Sequence, residues 1–575
     1  MKTTLNLLIF SIFTCAIFYF FYSFGDDKFD YSKKIGANAI GCTSTNFLLS
    51  DVDSTKQIAP LFENIGNHSY KVSTTNDLAQ RFFNQGLSLT YAFNHAEAHR
   101  SFMEASRLDP DLAMAYWGQA YTLGPNINDP EPTEDRKESY NKAMLKANKH
   151  IAGTTKKERD LIQALGYRYS NDFSTPVEEL NLEYMIAMAK VVKKYPKDPD
   201  ILTLYAASVM NTARWNYWDK NGNPMPNIKD AKEALEFAMK ENPNHPGAHH
   251  YYIHMVELPT PELAVPSAEI LGELMPGAGH IVHMPSHIYI RVGRYKDAVE
   301  VNKKAILADE DYISQCFSQG IYPLGYYPHN IHFLWSAASL LGDSKTAIDA
   351  AKKTAEKVPV GEMEALHFLQ NFAATPLLAY VRFGKWNDIL TYPKPNDDIK
   401  YLKLIWHYAR GIAFIKKHNI PEAKEELEAI KTYTTDPDME TIKASGFDNG
   451  TAISKLAYEV VSGELANEQG DFKEAIAHLE QAVILEDNLI YNEPSAWYIP
   501  PRQNLGAVLM NANQFEKAEV VYKEDLNKLR QNGWSLMGLS KSLSEQGKTI
   551  EAEKIKTEFD KAWQYSDITI ENSVL

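Results

Sequence analysis

Small and aromatic residues recur along this 575-residue chain at spacings typical of paired α-helices. Counted from Ala79, positions four, eight, twenty, twenty-four, twenty-seven and thirty-two are Phe82, Gly86, Ala98, Phe102, Ala105 and Pro110. Small side chains at the eighth, twentieth and twenty-seventh positions let two antiparallel helices approach closely. Strand signals are absent apart from short aromatic runs, so the pattern predicts an all-α fold.

The same register returns further along the chain, which predicts a tetratricopeptide (TPR) array. Gly463, Ala475 and Ala482 fall at the eighth, twentieth and twenty-seventh positions of a later unit. We therefore expect a TPR-type right-handed helical solenoid with irregular inserted loops. Its expected parts are an N-terminal region over 61–240, a central His-rich region over 241–360 and a C-terminal region over 361–575. Gly- and Pro-rich stretches at 124–126, 219–227 and 314–328 are the predicted loops.

The first residues have the composition of a targeting segment. Lys2 precedes an apolar run over 7–22, and two aspartates follow at 26 and 27. Residues 1–25 are therefore expected to be a signal peptide or an N-terminal membrane anchor, followed by a linker over 26–60. Either alternative predicts an exported chain, periplasmic or at the cell surface, and an uncleaved segment would anchor it through residues 5–24. Cys42 and Cys316 could pair there, although their spacing does not establish it.

The charge balance narrows the classes of partner. The net charge is -15, and no basic block or basic face is found. Nucleic acid and anionic lipid are therefore not expected as partners, and any membrane contact is expected only through the N-terminal segment.

Nine of the 17 histidines lie within 245–332, and several share a helix face. Residues at i, i+3, i+4 and i+7 of a helix project to one side. His250, His254 and Glu257 follow this spacing, as do His280, His283 and His287. Two imidazoles four residues apart with a carboxylate can bind Zn, Cu or Fe. These six residues are the candidate metal ligands, although Pro285 is expected to kink the helix predicted over 279–292.

Two other interpretations of the histidines remain open. The first helix of each TPR unit is known to line the concave surface, where His249, His329 and His332 are candidates for binding a protein or peptide partner. His95 is a further candidate, because it could reach this surface from the start of a second helix. Alternatively, the histidines pack against neighbouring tyrosines and have no ligand. Our leading expectation is a binding or scaffold protein acting through a concave His-rich surface. The alternative is a metal-binding protein or metalloenzyme, and no catalytic residue is assigned.

Several motifs go beyond generic repeat spacing. They are YAFNHAEA at 91–98, AYWG at 115–118, GPNIN at 124–128, HHYYIH at 249–254, HIVHMPSH at 280–287 and PHNIH at 328–332. The chain thereby resembles a family of exported or membrane-associated bacterial TPR proteins whose activity is not established. The resemblance implies the fold and the compartment, and it favours a binding role.

Overall fold

Helices account for the ordered architecture of this protein. The computed structural model describes residues 56–315, 322–444 and 446–575. No β-strand is found in these ranges, so the predicted all-α class is confirmed. The expected signal or anchor segment, the first 30 residues of the linker, and Cys42 and Cys316 lie outside the described residues.

The described helices follow one another with short connections. They are α1 Asp77–Tyr91, α2 His95–Leu108, α3 Ala113–Leu123, α4 Glu134–Lys149, α5 Lys156–Gly166, α6 Val177–Lys194, α7 Pro199–Thr212, α8 Ile228–Glu241, α9 Pro246–Val256, α10 Val265–Leu274, α11 Gly279–His283, α12 Pro285–Arg291, α13 Tyr295–Gln315, α14 Tyr327–Leu341, α15 Ser344–Glu356, α16 Phe368–Arg382, α17 Trp386–Thr391, α18 Lys400–Lys416, α19 Ile420–Tyr433, α20 Gly450–Glu468, α21 Phe472–Asp487, α22 Pro501–Asn511, α23 Phe515–Lys528, α24 Gly533–Glu545 and α25 Thr549–Ala562. Short 3-10 helices cover Ile151–Gly153, Pro261–Ala264, Val360–Glu362 and Pro437–Glu440, and a π-helical turn covers Tyr322–Tyr326. None of these helices is both long and apolar enough to cross a membrane.

Consecutive helices pack as pairs, and the first pair shows why small residues recur. The fully buried ring of Phe102 on α2 lies against Gly86 of α1 and Gly118 of α3. A Cβ atom added at these two glycines would lie 2.8 Å and 2.4 Å from that ring. The helices can approach this closely only because both positions lack a side chain.

Two predicted elements differ from those observed. The helix expected over 279–292 is divided into α11 and α12, because Pro285 has no N–H and its ring disfavours a continuous helix. The loop expected over 314–328 is helical at both of its described ends. Helix α13 continues to Gln315, and the turn Tyr322–Tyr326 leads directly into α14.

The C-terminal repeats reach back to the central ones. The Tyr295 hydroxyl donates to the carbonyl of Arg530 at 2.7 Å, and the Trp534 indole donates to the carbonyl of Ser339 at 3.1 Å. Closer to the histidines, the Trp215 and Phe447 ring centroids are 6.4 Å apart. The inner face of the central repeats is therefore covered by distant parts of the chain.

Candidate metal centre

Seven of the predicted residues form one buried group, which we call the histidine cluster: His250, His254, Glu257, His280, His283, His287 and His329. They lie on α9 or at its C-terminal end, on α11 and α12, and on α14. The His250 ring is 5.0 Å from both His254 and His280 between centroids, and the His283 ring is 4.9 Å from both His287 and His329. We expected these side chains on an accessible concave surface, but the first six are at most 3% exposed, since the C-terminal repeats cover them.

The cluster divides into two groups of three imidazoles. His250, His254 and His280 form one group, and His283, His287 and His329 form the other. Within each group, one ligand atom from each residue lies within 4.8 Å of the other two. Glu257 joins the groups, because it forms a third such set with His254 and His287. His329, expected at a partner-binding surface, therefore belongs with the candidate metal ligands.

Hydrogen bonds define the protonation of three of these rings. Nδ1 of His250 donates to the carbonyl of Tyr91 at 2.5 Å, and Nδ1 of His283 donates to Oδ1 of Asn302 at 2.7 Å. Nδ1 of His287 donates to Oε2 of Glu257 at 2.8 Å. In a neutral imidazole whose proton is on Nδ1, the Nε2 atom keeps a free lone pair. Such outer hydrogen bonds orient metal-binding histidines.

Two of these lone pairs face each other. Nε2 of His283 lies 3.0 Å from Nε2 of His287. Two neutral acceptors at this distance repel unless a cation or a proton lies between them. Two nitrogens bound to one ion at about 2.1 Å, with a ligand angle of about 90–110°, lie roughly 3.0–3.4 Å apart. The observed separation fits two ligands of a single ion, and it also fits a proton shared between the two rings.

Other nitrogens of the cluster have no partner. Nε2 of His250, both ring nitrogens of His254, both ring nitrogens of His280 and Oε1 of Glu257 are buried without a hydrogen bond. Nδ1 of His254 is 3.6 Å from Oε1 of Glu257, which is too far for a hydrogen bond. Each unsatisfied buried polar atom costs about 1–3 kcal/mol. Five such nitrogens in one place are available to bind a metal ion, or water in an adjoining space.

Burial also sets the charge of the cluster. Desolvation lowers the pKa of His250, His280, His283 and His329 well below the usual value, so these rings are neutral at pH 7. Burial by itself raises the pKa of Glu257, but its interactions with the neighbouring His287 and His254 outweigh burial and lower that pKa to about 2. Neutral imidazoles with one carboxylate are the protonation states in which these groups bind metals.

The other predicted residues lie apart from the cluster. His249 projects away from it and hydrogen-bonds to the Ser267 hydroxyl at 2.8 Å and the Pro243 carbonyl at 2.9 Å. His332 accepts from the Tyr498 hydroxyl at 2.7 Å. His95 lies near the cluster without joining either group, and burial lowers its pKa to about 3. These three histidines are buried, unlike the surface residues that we expected.

A third set, His68, Asp200 and His245, also has the spacing of a metal site, but its contacts are those of a hydrogen-bond network. Nδ1 of His245 accepts from the backbone N–H of Ala248, so its Nε2 carries the proton and points to Asp200 at 3.3 Å. The same oxygen of Asp200 accepts from the Tyr91 hydroxyl at 2.7 Å and lies 2.8 Å from Nε2 of His68. Two hydrogen bonds and the nearby His245 ring converge on this one oxygen, an arrangement that fits a structural network supporting Tyr91.

Two contributors to the cluster were missed by the sequence argument. Asn302 occupies position twenty-four of its repeat, where the first repeat has Phe102, and it is fully buried. A polar residue at that core position is the signal that could have identified it.

Phe93 ends the α1–α2 turn with φ 58°, a conformation that several other inter-helix turns fill with Gly, as at Gly293 and Gly342. A large aromatic residue at a position that favours glycine is a second signal.

A cavity of about 310 Å³ adjoins the cluster. Four ligand candidates from both groups line it, and its remaining walls come from separate parts of the chain. The lining includes His254, His280, His287, His329, His95, Phe93, Trp215, Tyr326, Phe368, Phe372, Phe447 and Glu493.

Comparisons with known proteins bear little on this site. No protein-family model matches the chain, and no curated protein matches it. Among similar solved structures, the Cut9–Hcn1 assembly of the APC/C has 13% identity, a TM-score of 0.28, and coverage of 85% of this chain and 74% of that one. The human IFIT1 dimer with m7Gppp-AAAA has 13% identity, a TM-score of 0.31, and coverage of 85% and 90%. Yeast Tom70 has 12% identity, a TM-score of 0.28, and coverage of 84% and 93%. Similarities this weak carry no argument about function, which depends on the geometry of the cluster.

Proposed function

We propose that this chain is a metal-binding protein whose histidine cluster holds two transition-metal ions. One ion is bound by His250, His254 and His280, and the other by His283, His287 and His329. Glu257 lies between the two groups, within reach of His254 and His287. The observation that carries the proposal is the 3.0 Å approach of the Nε2 atoms of His283 and His287, two rings whose Nδ1 atoms each face an oxygen acceptor.

The ligand types favour particular metals. Imidazole suits Zn, Cu, Fe and Ni, whereas Mg and Ca prefer oxygen ligands. Six imidazoles and a single carboxylate therefore favour Cu²⁺ or Zn²⁺, and Cu²⁺ binds such ligands more tightly among the divalent ions. The set His254, Glu257 and His287 offers two imidazoles and one carboxylate, the arrangement that a single Fe²⁺ prefers. The number of ions per chain distinguishes the two arrangements.

The experiment measures metal content in the folded chain. Protein is stripped with a chelator, reloaded separately with Cu²⁺, Zn²⁺ or Fe²⁺, dialysed, and analysed by elemental mass spectrometry. We expect two ions of Cu²⁺ or Zn²⁺ per chain. His280→Ala and His329→Ala are each expected to remove one ion, because each changes a different group.

His249→Ala is the matched control, since His249 lies on the same helix as His250 and is also buried, but points away from the cluster. It should keep both ions, with helicity by circular dichroism unchanged in all variants. One iron per chain, lost only when Glu257 or its two histidines change, would replace the two-ion arrangement by a single site. A wild-type chain that retains no ion after dialysis would refute metal binding.

Binding of a protein or peptide partner, our leading expectation from the repeat class, stays a prediction. So does export through the first 25 residues. Neither supplies a ligand for the unpaired nitrogens, and metal binding does not exclude either of them.

A further inference from the structure

The cavity beside the histidine cluster adjoins both of the proposed metal ions. His254 and His280 of the first group line it, and so do His287 and His329 of the second. Three protein ligands leave a transition-metal ion with at least one open coordination position. Both proposed ions would therefore lie beside the same cavity, each with a position free for a further ligand.

The walls of that cavity are mainly aromatic. They come from distant helices and loops, and include Phe93, Trp215, Tyr326, Phe368, Phe372 and Phe447. A volume of about 310 Å³ is at the lower end of the range for small-molecule sites. Ring faces in such a space bind another ring by offset or edge-to-face stacking.

Two of these aromatic residues are held in an unusual backbone conformation. Phe93 has φ 58° and Trp215 has φ 57°, and both values lie in the left-handed region that bulky residues avoid. The Phe93 ring lies parallel to the rings of His254 and His280, with centroids 5.9 Å and 5.6 Å apart. Trp215 meets His254 edge-on at 5.1 Å. The strain at both residues places an aromatic wall directly against the ligand candidates, as strain often does at functional sites.

Charged groups at the cavity are already neutralised. Arg136 donates to Asp129 at 2.6 Å and to the carbonyls of Leu123 and Gly124. Glu493 accepts from the Tyr491 hydroxyl at 2.6 Å, and burial raises its pKa, which favours the neutral acid. The walls thus offer no free counter-charge apart from the proposed ions, and an uncharged ring is compatible with them.

We propose that this cavity binds a small uncharged aromatic molecule with one hydroxyl group, which reaches the open positions of the metal ions. This inference rests on the proposed metal centre for the role of the hydroxyl group. The aromatic walls and their lack of free charge carry the rest of it. Phenol is the simplest molecule of this class.

The test uses the intact chain loaded with Cu²⁺ and titrated with phenol. A phenol that binds Cu²⁺ gives up its hydroxyl proton to the solvent, and the resulting phenolate–Cu²⁺ pair absorbs visible light by charge transfer, so a new band that saturates with phenol is expected. Cyclohexanol has a similar size and a hydroxyl group but no ring face, and tetramethylammonium has a charge but no hydroxyl group. Neither is expected to compete with phenol.

Ala96→Phe fills the cavity without changing a ligand, because Ala96 lines it from α2. We expect phenol binding to weaken about tenfold or more, with metal content unchanged. Ala429→Phe is the control, because Ala429 is a partly buried alanine on α19 that lies outside the cavity. It should leave phenol binding as in the wild type.

The outcomes separate the two proposals. A fully loaded chain that shows no band would overturn the cavity inference and leave the metal centre standing. Competition by cyclohexanol would overturn aromatic recognition, and competition by tetramethylammonium would indicate a cation site instead. If no metal binds, equilibrium dialysis of phenol against the metal-free chain still tests the aromatic cavity. In that case, equal retention by the wild type and Ala96→Phe would overturn it.

Discussion

Asn302 determines which nitrogen of His283 can reach a metal ion, and replacing it tests the whole arrangement. Its Nδ2 donates to the carbonyl of Ala298 at 2.7 Å, which orients its Oδ1 toward Nδ1 of His283, also at 2.7 Å. The side chain is fully buried, so no bulk water can take its place. In Asn302→Ala, His283 loses the closer acceptor at Nδ1 and keeps only the Ser286 hydroxyl at 3.3 Å, so the Nε2 lone pair is no longer guaranteed.

The expected loss can be estimated for both binding and folding. Removing the partner of a metal-binding histidine typically lowers metal affinity 10- to 100-fold. This corresponds to about 1.4–2.8 kcal/mol. The metal-free Asn302→Ala chain also loses two buried hydrogen bonds and leaves Nδ1 of His283 without its closest acceptor. An unsatisfied buried donor lowers the free energy of unfolding by about 1–3 kcal/mol. Competition with a chelator of known affinity measures the first quantity, and urea unfolding of the metal-free chain measures the second.

Asn302→Asp separates positioning from packing. A carboxylate can still accept from Nδ1 of His283 but cannot donate to Ala298, so we expect metal affinity to stay within a few fold of wild type while stability falls. Asn504→Ala, which removes a buried amide hydrogen-bonded to Glu464, should change stability only. If the alanine variant at 302 keeps wild-type metal affinity, or if both 302 variants lose it equally, the assignment of Nε2 as the ligand atom is wrong.

Three further predictions concern the fold around the site. Gly118→Ala should lower the free energy of unfolding in urea by about 1–3 kcal/mol, because its Cβ would lie 2.4 Å from the Phe102 ring. The control Gly153→Ala should leave stability unchanged, because its Cβ would meet nothing within 4 Å. Phe93→Gly should be more stable than Phe93→Ala by about 1 kcal/mol, the reverse of the usual order, because φ is 58° there; equal stability would contradict the strain argument. Burial raises the pKa of Asp309 to about 7, so the folded state binds its proton more tightly than the unfolded one. That stabilisation is complete below about pH 4 and is lost as the pH rises toward 7, so stability in the metal-free wild type should fall across this window relative to Asp309→Asn, and parallel pH profiles would refute it.

The spacing of residues within one repeat was sufficient to predict much of this architecture. Gly86 and Phe102 predict a close helix pair because the eighth and twenty-fourth positions of a repeat must meet, and that pair is present. The spacing of His250, His254 and Glu257 predicts one helix face, because 3.6 residues per turn bring such positions together. These inferences depend on the chain within about one repeat, where helical geometry leaves little freedom.

The packing of distant segments decided the rest. His249 and His250 are adjacent in sequence but project in different directions, and only His250 finds the cluster, because the α1–α2 turn places Phe93 and the Tyr91 carbonyl beside it. The C-terminal repeats cover a surface that would otherwise be accessible. The sequence predicted an open groove there, but the residues form a buried centre. Helical periodicity predicts the face on which a side chain lies, but it carries no information about which other segment packs on that face. Burial, imidazole protonation and the pairing of the two histidine groups all depend on that second fact, so they could be found only in the tertiary structure.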